Sequence, residues 1–275
     1  MADAPETATV RLDHQVIGEG PPLLLVGGTA FPGATWQYDE LLGPLREHFT
    51  VITFDQRGIA ASPATPGPYS TRLFAADALA LLRELDLGPA HVVGHSMGGR
   101  VVQWMALDAP DMISSMVLAA SGPGQFRADH DITRGIPINV CMGLAEHGYE
   151  NFIWRQVRAA FTPEFAAARP EVTDWLADAF WAHRPSLQEY LKHVIARQRH
   201  QTTHLLSQIR VPSLVLVGDR DTHQGANGSH LDQSRYLASH VPGATFRVLE
   251  GLAHGYFWEA PQISIQEITQ WVNGL

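Results

Sequence analysis

Short apolar runs alternate with helix-like stretches along most of this chain, and that alternation is the feature that most limits its fold. The runs Leu23 to Val26 and Val51 to Phe54 are each followed by glycine or aspartate. Further runs of this kind predict strands at 91–94, 116–120, 213–217 and 245–249, and helical spacing predicts helices at 35–49, 73–87, 100–109 and 263–272. Buried strands separated by helices indicate an α/β fold, with a mostly parallel sheet and helices on both faces.

One long segment interrupts the alternation. Residues 125–206 contain no convincing strand, and helical patterns cover 151–161, 170–183 and 185–200. The segment has nine basic and nine acidic residues, so the flanking chain carries the whole net charge of -9, and it holds 10 of the 24 aromatic residues. We therefore predict a sheet domain formed by residues 1–124 and 207–275, with a helical cap at 125–206 over the C-terminal edge of the sheet.

The pentapeptide Gly94-His95-Ser96-Met97-Gly98 lies between a predicted strand and a predicted helix. In that context the pattern G-x-S-x-G forms a tight turn that lifts the serine hydroxyl above the sheet edge and points the helix N-terminus at it. Ser96 is therefore the candidate nucleophile. The side chain of His95, inside the same turn, is expected to point away from the serine.

A serine hydroxyl needs a histidine base and a carboxylate that orients this base. In folds with this turn the partners follow the serine in the order acid, then histidine, each after a later strand. Asp219 and Asp221 both follow the strand at 213–217, and we prefer Asp221 because it has passed into the loop. His254 follows the strand at 245–249 and is the candidate base.

Two backbone N–H groups must stabilise the negative charge that develops on the attacked carbonyl oxygen. Met97 follows the serine and supplies one of them. Thr29 follows Gly27-Gly28 at the end of the first central strand and is expected to supply the other. The candidates for lining the substrate pocket are aromatic: Phe31, Phe126, Trp154 and Phe180. For the cap aromatics, packing inside the cap itself is the alternative.

Together these residues resemble the α/β-hydrolase superfamily, and the resemblance covers nearly the whole chain. The loops Asp55 to Ser62, Gly218 to Asp221 and Gly251 to His254 also match family motifs. The resemblance implies the α/β-hydrolase fold with an inserted helical cap, in the branch of serine esterases and lactonases. Gly27 stands where the family usually has a histidine, and Ala60 where it usually has a glycine.

The predicted function is hydrolysis of a carboxylic ester or lactone through an acyl-enzyme. Because the charges of the cap cancel, we expect a small and largely apolar substrate. The mechanism needs no metal or organic cofactor. The same fold and triad also resemble carbon–carbon bond hydrolases, lyases and cofactor-free oxygenases, and a non-catalytic small-molecule binding protein is a further alternative.

The overall charge argues against other partners. Acidic residues outnumber basic ones by 28 to 19 without a basic run, so we expect neither nucleic acid nor a membrane surface as partner. Apolar runs stay well short of the roughly 18 residues of a membrane span, and the first residues do not resemble a secretory leader. The lone Cys141 rules out an internal disulfide and fits a cytoplasmic protein. A homo-oligomer is compatible with the sequence.

Overall fold

The computed structural model describes residues 8–127, 134–221, 224–225 and 228–275. Within these residues a seven-stranded sheet occupies the centre, and a two-stranded hairpin lies apart from it. The strands are β1 (His14–Ile17), β2 (Pro22–Val26), β3 (Thr50–Phe54), β4 (Ala90–His95), β5 (Ile113–Ala119), β6 (Ser213–Gly218), β7 (Gln224–Gly225), β8 (Gly228–Ser229) and β9 (Thr245–Leu249). The sheet order is β1-β3-β2-β4-β5-β6-β9, and β1 alone pairs antiparallel within it. The predicted mostly parallel sheet is confirmed.

Helices cover both faces of this sheet. Those in the described residues are α1 (Asp39–Leu45), α2 (Thr71–Leu85), α3 (Met97–Asp108), α4 (Ile138–Arg158), α5 (Pro163–Ala168), α6 (Pro170–Ala182), α7 (Leu187–Arg199), α8 (His230–His240), α9 (Tyr256–Glu259) and α10 (Pro261–Asn273). The predicted helix at 35–49 is in fact a 3-10 turn at Gly33–Trp36 followed by α1, because Tyr38 between them is extended.

Alternate residues of β2 show how the two faces are filled. Leu23 and Leu25 pack with α1, α10 and the inserted helices, whereas Leu24 and Val26 pack with α2, α3 and α8. All four leucine and valine side chains are buried. Full burial of a side chain of this size contributes roughly 1.5–3 kcal/mol. Two apolar layers therefore hold the sheet between its helices.

The helices α4 to α7 lie between β5 and β6, which is where the sequence predicts a helical segment. The structure differs in detail, since α4 begins at Ile138 and is broken at Gly148, whose φ is +71°. The short α5, which begins at Pro163 after the Thr162 cap, has no counterpart among the predicted helices. No helix of the described residues is long and apolar enough to cross a bilayer.

The strand register brings the loops after β2, β4, β6 and β9 to one edge of the sheet. In the β2–β4 pair, Leu23 lies opposite His91 and Val26 lies opposite Gly94. In the β6–β9 pair, Gly218 lies opposite Leu249. Because these strands are parallel, their following loops emerge side by side at the C-terminal edge of the sheet. All predicted catalytic residues lie on those loops.

Candidate active site

Ser96 occupies a strained turn between β4 and α3. Its φ is +55° and its ψ is -118°, and its N–H donates to the carbonyl oxygen of Ala119 at 2.8 Å. The flanking glycines allow this turn, because a Cβ on Gly94 would lie 2.4 Å from the oxygen of Gly98 and one on Gly98 would lie 2.1 Å from the oxygen of Val26. Such a backbone costs about 1–3 kcal/mol and is typical of functional sites.

His254 and Asp221 meet where the loops after β9 and β6 run together. The N–H at Nδ1 of His254 donates to Oδ2 of Asp221 at 2.6 Å. The backbone N–H of Arg220 donates to the oxygen of Leu252 at 3.0 Å, which ties the two loops to each other. Asp219 instead accepts the N–H of Gly251 at 2.7 Å. The structure thus places Asp221, and not Asp219, against the histidine.

A cavity of about 480 Å³ opens at this edge, and Ser96 and His254 both line it. Met97 and Thr29 line it as well, together with the aromatic rings of Phe31 and Phe180. Met97 is the first residue of α3, so its N–H belongs to the first helical turn, which has no intrahelical acceptor. The serine, the histidine, both predicted N–H donors and two predicted aromatic residues therefore surround one space.

Two of the predicted pocket residues are not among those that line the cavity. Phe126 stacks on Tyr236, with ring centroids 4.4 Å apart. The guanidinium of Arg158 lies over the ring of Trp154, and its central carbon is 5.5 Å from the ring centroid. The helix α4 presents Phe152, Ile153, Gln156 and Val157 to the cavity instead. This corrects the prediction, which identified aromatic residues in the insertion without knowing which side of the helix faces the sheet.

His95 lies closer to the site than the sequence predicts. Its Nε2–H donates to the backbone oxygen of His254 at 2.9 Å, and the two rings lie 4.7 Å apart. His95 is also among the residues that line the cavity. It therefore supports the main chain of His254 instead of pointing away. The only sequence signal for a role of His95 was its place next to Ser96 in the tight turn.

Sequence reasoning missed a second histidine beside Asp221. His230, the first residue of α8, brings Nδ1 to 3.1 Å from Oδ2 of Asp221. Nothing in its spacing distinguishes it from the other histidines. Another histidine close to the acid in the sequence, His223, lies outside the described residues.

The charges around Asp221 favour its ionised form. Burial alone would raise the pKa of this carboxyl, but the charges of His254 and His230, and the hydrogen bonds from them, outweigh burial and hold its pKa well below the usual range. Burial lowers the pKa of His230. Burial and the charge of His254 lower the pKa of His95 far below its ordinary value. The carboxylate is therefore charged and His95 neutral near neutral pH.

The loop that carries Thr29 is held from several sides. The side-chain amide of Gln56 donates to the oxygen of Gly27 at 3.0 Å, and Asp55 Oδ1 accepts the N–H of Gly33 at 2.7 Å. The indole N–H of Trp258 donates to the oxygen of Thr35 at 2.9 Å. Asp55 and Gln56, which directly follow β3, therefore both support the loop after β2.

Asp221, His230 and His254 form a cluster of potential metal ligands. Its candidate ligand atoms all lie within 4.8 Å of one another. However, 2.6 Å between His254 Nδ1 and Asp221 Oδ2 is a hydrogen-bond distance. Two atoms that each bind one metal ion at about 2 Å lie farther apart than that. The geometry fits a proton, and not a metal ion, between these two atoms.

The chain is similar to several known proteins over most of its length. The family model described as "alpha/beta hydrolase fold" matches residues 21–261. The protein named "Putative carbamate hydrolase RutD" from Pseudomonas syringae is 32% identical over 86% of this chain and 87% of its own. "Non-heme chloroperoxidase CPO-A1" from Kitasatospora aureofaciens is 29% identical over 90% and 89%. The crystal structure of a hydrolase from Pseudomonas aeruginosa superposes with a TM-score of 0.79 at 26% identity, covering 96% and 94%.

Proposed function

The chain belongs to the α/β-hydrolase fold family, and on that basis we propose that it is a serine hydrolase that cleaves a carboxylic ester or lactone of a small molecule. One observation carries the proposal. The buried histidine–carboxylate hydrogen bond of His254 and Asp221 stands at the cavity that Ser96 lines from its strained turn. A histidine oriented in this way can accept the proton of a serine hydroxyl. The relative named as a carbamate hydrolase supports attack on a carbonyl group.

The proposed reaction has two halves. Ser96 Oγ attacks the carbonyl carbon while His254 Nε2 takes the hydroxyl proton, and the N–H groups of Met97 and Thr29 stabilise the oxyanion. The bond to the leaving oxygen breaks as the histidine returns that proton to it, which leaves an acyl-serine. Water then attacks the acyl group with the histidine as base, and the acid and free serine are released. In a lactone the leaving oxygen stays attached to the acyl chain.

Asp221 and His95 have supporting roles in this scheme. The ionised Asp221 holds Nδ1–H of His254, so that Nε2 carries the lone pair that accepts a proton, and it offsets the positive charge that forms on the ring. His95 holds the backbone of His254 through its Nε2–H. Because His95 stays neutral, it adds no positive charge next to the base.

The test is covalent labelling followed by kinetics. A fluorophosphonate probe should label the wild type at one serine, and Ser96→Ala should abolish this labelling, whereas the exposed Ser239→Ala on α8 should keep it. With p-nitrophenyl esters we expect a burst of one p-nitrophenol per active site, and Ser96→Ala should lose on the order of 10⁴-fold or more in kcat. Wild-type turnover in that variant, or inertness toward esters with retained binding of a diketone, would reject ester hydrolysis in favour of other chemistry on this fold.

A further inference from the structure

The cavity wall has a strong positive bias. Arg100 and Arg197 both line it, and among the lining residues that the structure describes there is no aspartate or glutamate. Arg100 lies on α3, four residues after Ser96 and so one helical turn from it. Arg197 lies near the end of α7. In a chain whose net charge is -9, two arginines facing one cavity need an explanation.

Their contacts leave most of their donors unused. Arg100 Nη1 donates to the backbone oxygen of Arg197 at 2.5 Å, and Arg197 Nη1 reaches Thr29 Oγ1 at 3.4 Å. A guanidinium has five N–H donors. Within the part of the chain that the structure describes, no ion pair joins either arginine to a carboxylate. Arg57 shows the usual arrangement, with two hydrogen bonds to Asp77 at 2.6 and 2.7 Å.

A bound anion would stabilise this placement of two positive charges. Burial, together with the charge of Arg197, lowers the pKa of Arg100 to about 9, and burial lowers the pKa of Arg197 as well. Capping of α7 accounts for one hydrogen bond of Arg100. It does not account for Arg197, whose described side-chain contact is one long hydrogen bond to a hydroxyl. A bound carboxylate would satisfy both guanidinium groups, because paired N–H donors match its two oxygens.

We propose that Arg100 and Arg197 form a carboxylate-binding subsite, so that the substrate is an ester or lactone that also carries a free carboxylate a few bonds from the reacting carbonyl. The proposal rests on the proposed function for the reaction and adds the class of substrate. The short path from Ser96 to Arg100, and from Thr29 to Arg197, sets the small separation between the two groups. This proposed substrate class replaces the expectation of an apolar substrate. That expectation relied on the summed charge of residues 125–206 and not on the side chains that reach the cavity.

The first test compares two esters that differ only in the charged group. Mono-p-nitrophenyl glutarate has a carboxylate where p-nitrophenyl pentanoate has a methyl group. We expect the wild type to prefer the glutarate ester in kcat/KM, and Arg197→Gln and Arg100→Gln each to reduce this preference by about 10- to 100-fold. The control is Arg199→Gln, an exposed arginine two residues further along the same helix, which should keep the preference. The ratio of the two kcat/KM values is unaffected by a loss of activity that is common to both esters.

A second measurement separates the two proposals. Calorimetry on the Ser96→Ala variant compares monomethyl glutarate with methyl pentanoate, which requires no turnover. Tighter binding of the glutarate ester, lost with Arg197→Gln, supports the subsite even if the reaction proves different. Equal binding of both esters, or a wild type that hydrolyses them equally, overturns the subsite and leaves the proposed hydrolysis standing. If Arg100→Gln does not fold, Arg197→Gln decides.

Discussion

His230 and His254 lie face to face, with ring centroids 4.6 Å apart and planes 25° from parallel, and both bring Nδ1 to the same oxygen of Asp221. The catalytic arrangement proposed for this chain therefore has a second histidine at its acid. The carboxylate is shared by one ring from the start of α8 and one from the loop after β9, so the position of one ring depends on the other.

Replacing His230 should affect the position of His254 without removing a reacting group. We expect His230→Phe to lower kcat by about 10-fold with little change in KM, because the stack remains but Asp221 loses one polar neighbour. His230→Gln retains a donor and should restore most of kcat. Steady-state kinetics with an ester substrate measures both, and equal losses in the two variants would contradict a positioning role.

The choice between the two aspartates can be tested directly. Asp221→Asn removes the charge that holds His254, and kcat should fall on the order of 10³- to 10⁴-fold. Asp219→Asn is the matched control, since Asp219 contacts the N–H of Gly251 and not the histidine. The kcat of Asp219→Asn should stay within a few-fold of the wild-type value. A larger loss in Asp219→Asn than in Asp221→Asn would reverse the assignment.

Gly28 provides a test of the space beside the nucleophile. A Cβ at this position would lie 3.3 Å from Cβ and 3.7 Å from Oγ of Ser96. Gly28→Ala should therefore fold normally but displace the serine, and we expect kcat to fall by about 10- to 100-fold. Thermal unfolding should show little change in Tm. Unchanged kcat would mean that the loop after β2 yields without moving Ser96.

The ion pair of Arg57 and Asp77 is completely buried, whereas that of Arg72 and Asp108 is about one-third exposed. Asp77→Asn leaves the buried guanidinium without a counter-charge, so we expect a loss of about 3–5 kcal/mol in the free energy of unfolding. Asp108→Asn should cost less than about 1 kcal/mol. Urea denaturation of both variants gives the comparison, and similar losses would show that burial does not set the cost.

His193 predicts how stability responds to acid. It is buried, stacks on Phe74 and donates Nε2–H to the oxygen of Arg57, and burial lowers its pKa from 6.5 to about 4. Between those values the unfolded chain binds more protons than the folded one, so the stability contributed by His193 is present above pH 6.5 and is lost as the pH falls to about 4. The loss amounts to about 3 kcal/mol.

His193→Gln can keep the hydrogen bond to Arg57 without a titrating ring. Its free energy of unfolding, measured by urea denaturation at several pH values, should therefore fall less than that of the wild type between pH 6.5 and 4. Parallel curves for the two proteins would assign the acid sensitivity to other buried histidines.

Much of the fold could be predicted because β2 to β6 are buried runs whose order and following residues are visible in the sequence. Chain order also led to Ser96, Asp221 and His254, since each lies within five residues after the end of a strand. The antiparallel β1 escaped detection because its side chains are only partly buried and lack a clear alternation.

Which side chains line the cavity could not be predicted, as four residues show: Arg100, Arg197, Phe126 and Trp154. Whether a side chain on α3, α4 or α7, or in the segment after β5, reaches the cavity depends on how that element packs against the sheet. Helical periodicity identifies an apolar side but not the element that it will meet. For the same reason His230, which begins a helix far from any motif, could not be linked to Asp221 before the fold was known.

The insertion also contacts the loops that carry His254 and Thr29, since the N–H of Gly255 donates to the oxygen of Ala160 at 2.6 Å and Arg197 reaches Thr29. Under the proposals above, part of substrate recognition thus lies on the insertion, whereas the reacting groups and Arg100 lie on the sheet domain, and these two stretches of chain can diverge at different rates. Under these proposals, an exchange of α7 removes Arg197 from the subsite, which changes the compound that is accepted, and it leaves the proposed reacting groups on the sheet in place. This modular division offers a route by which one scaffold can acquire many substrates.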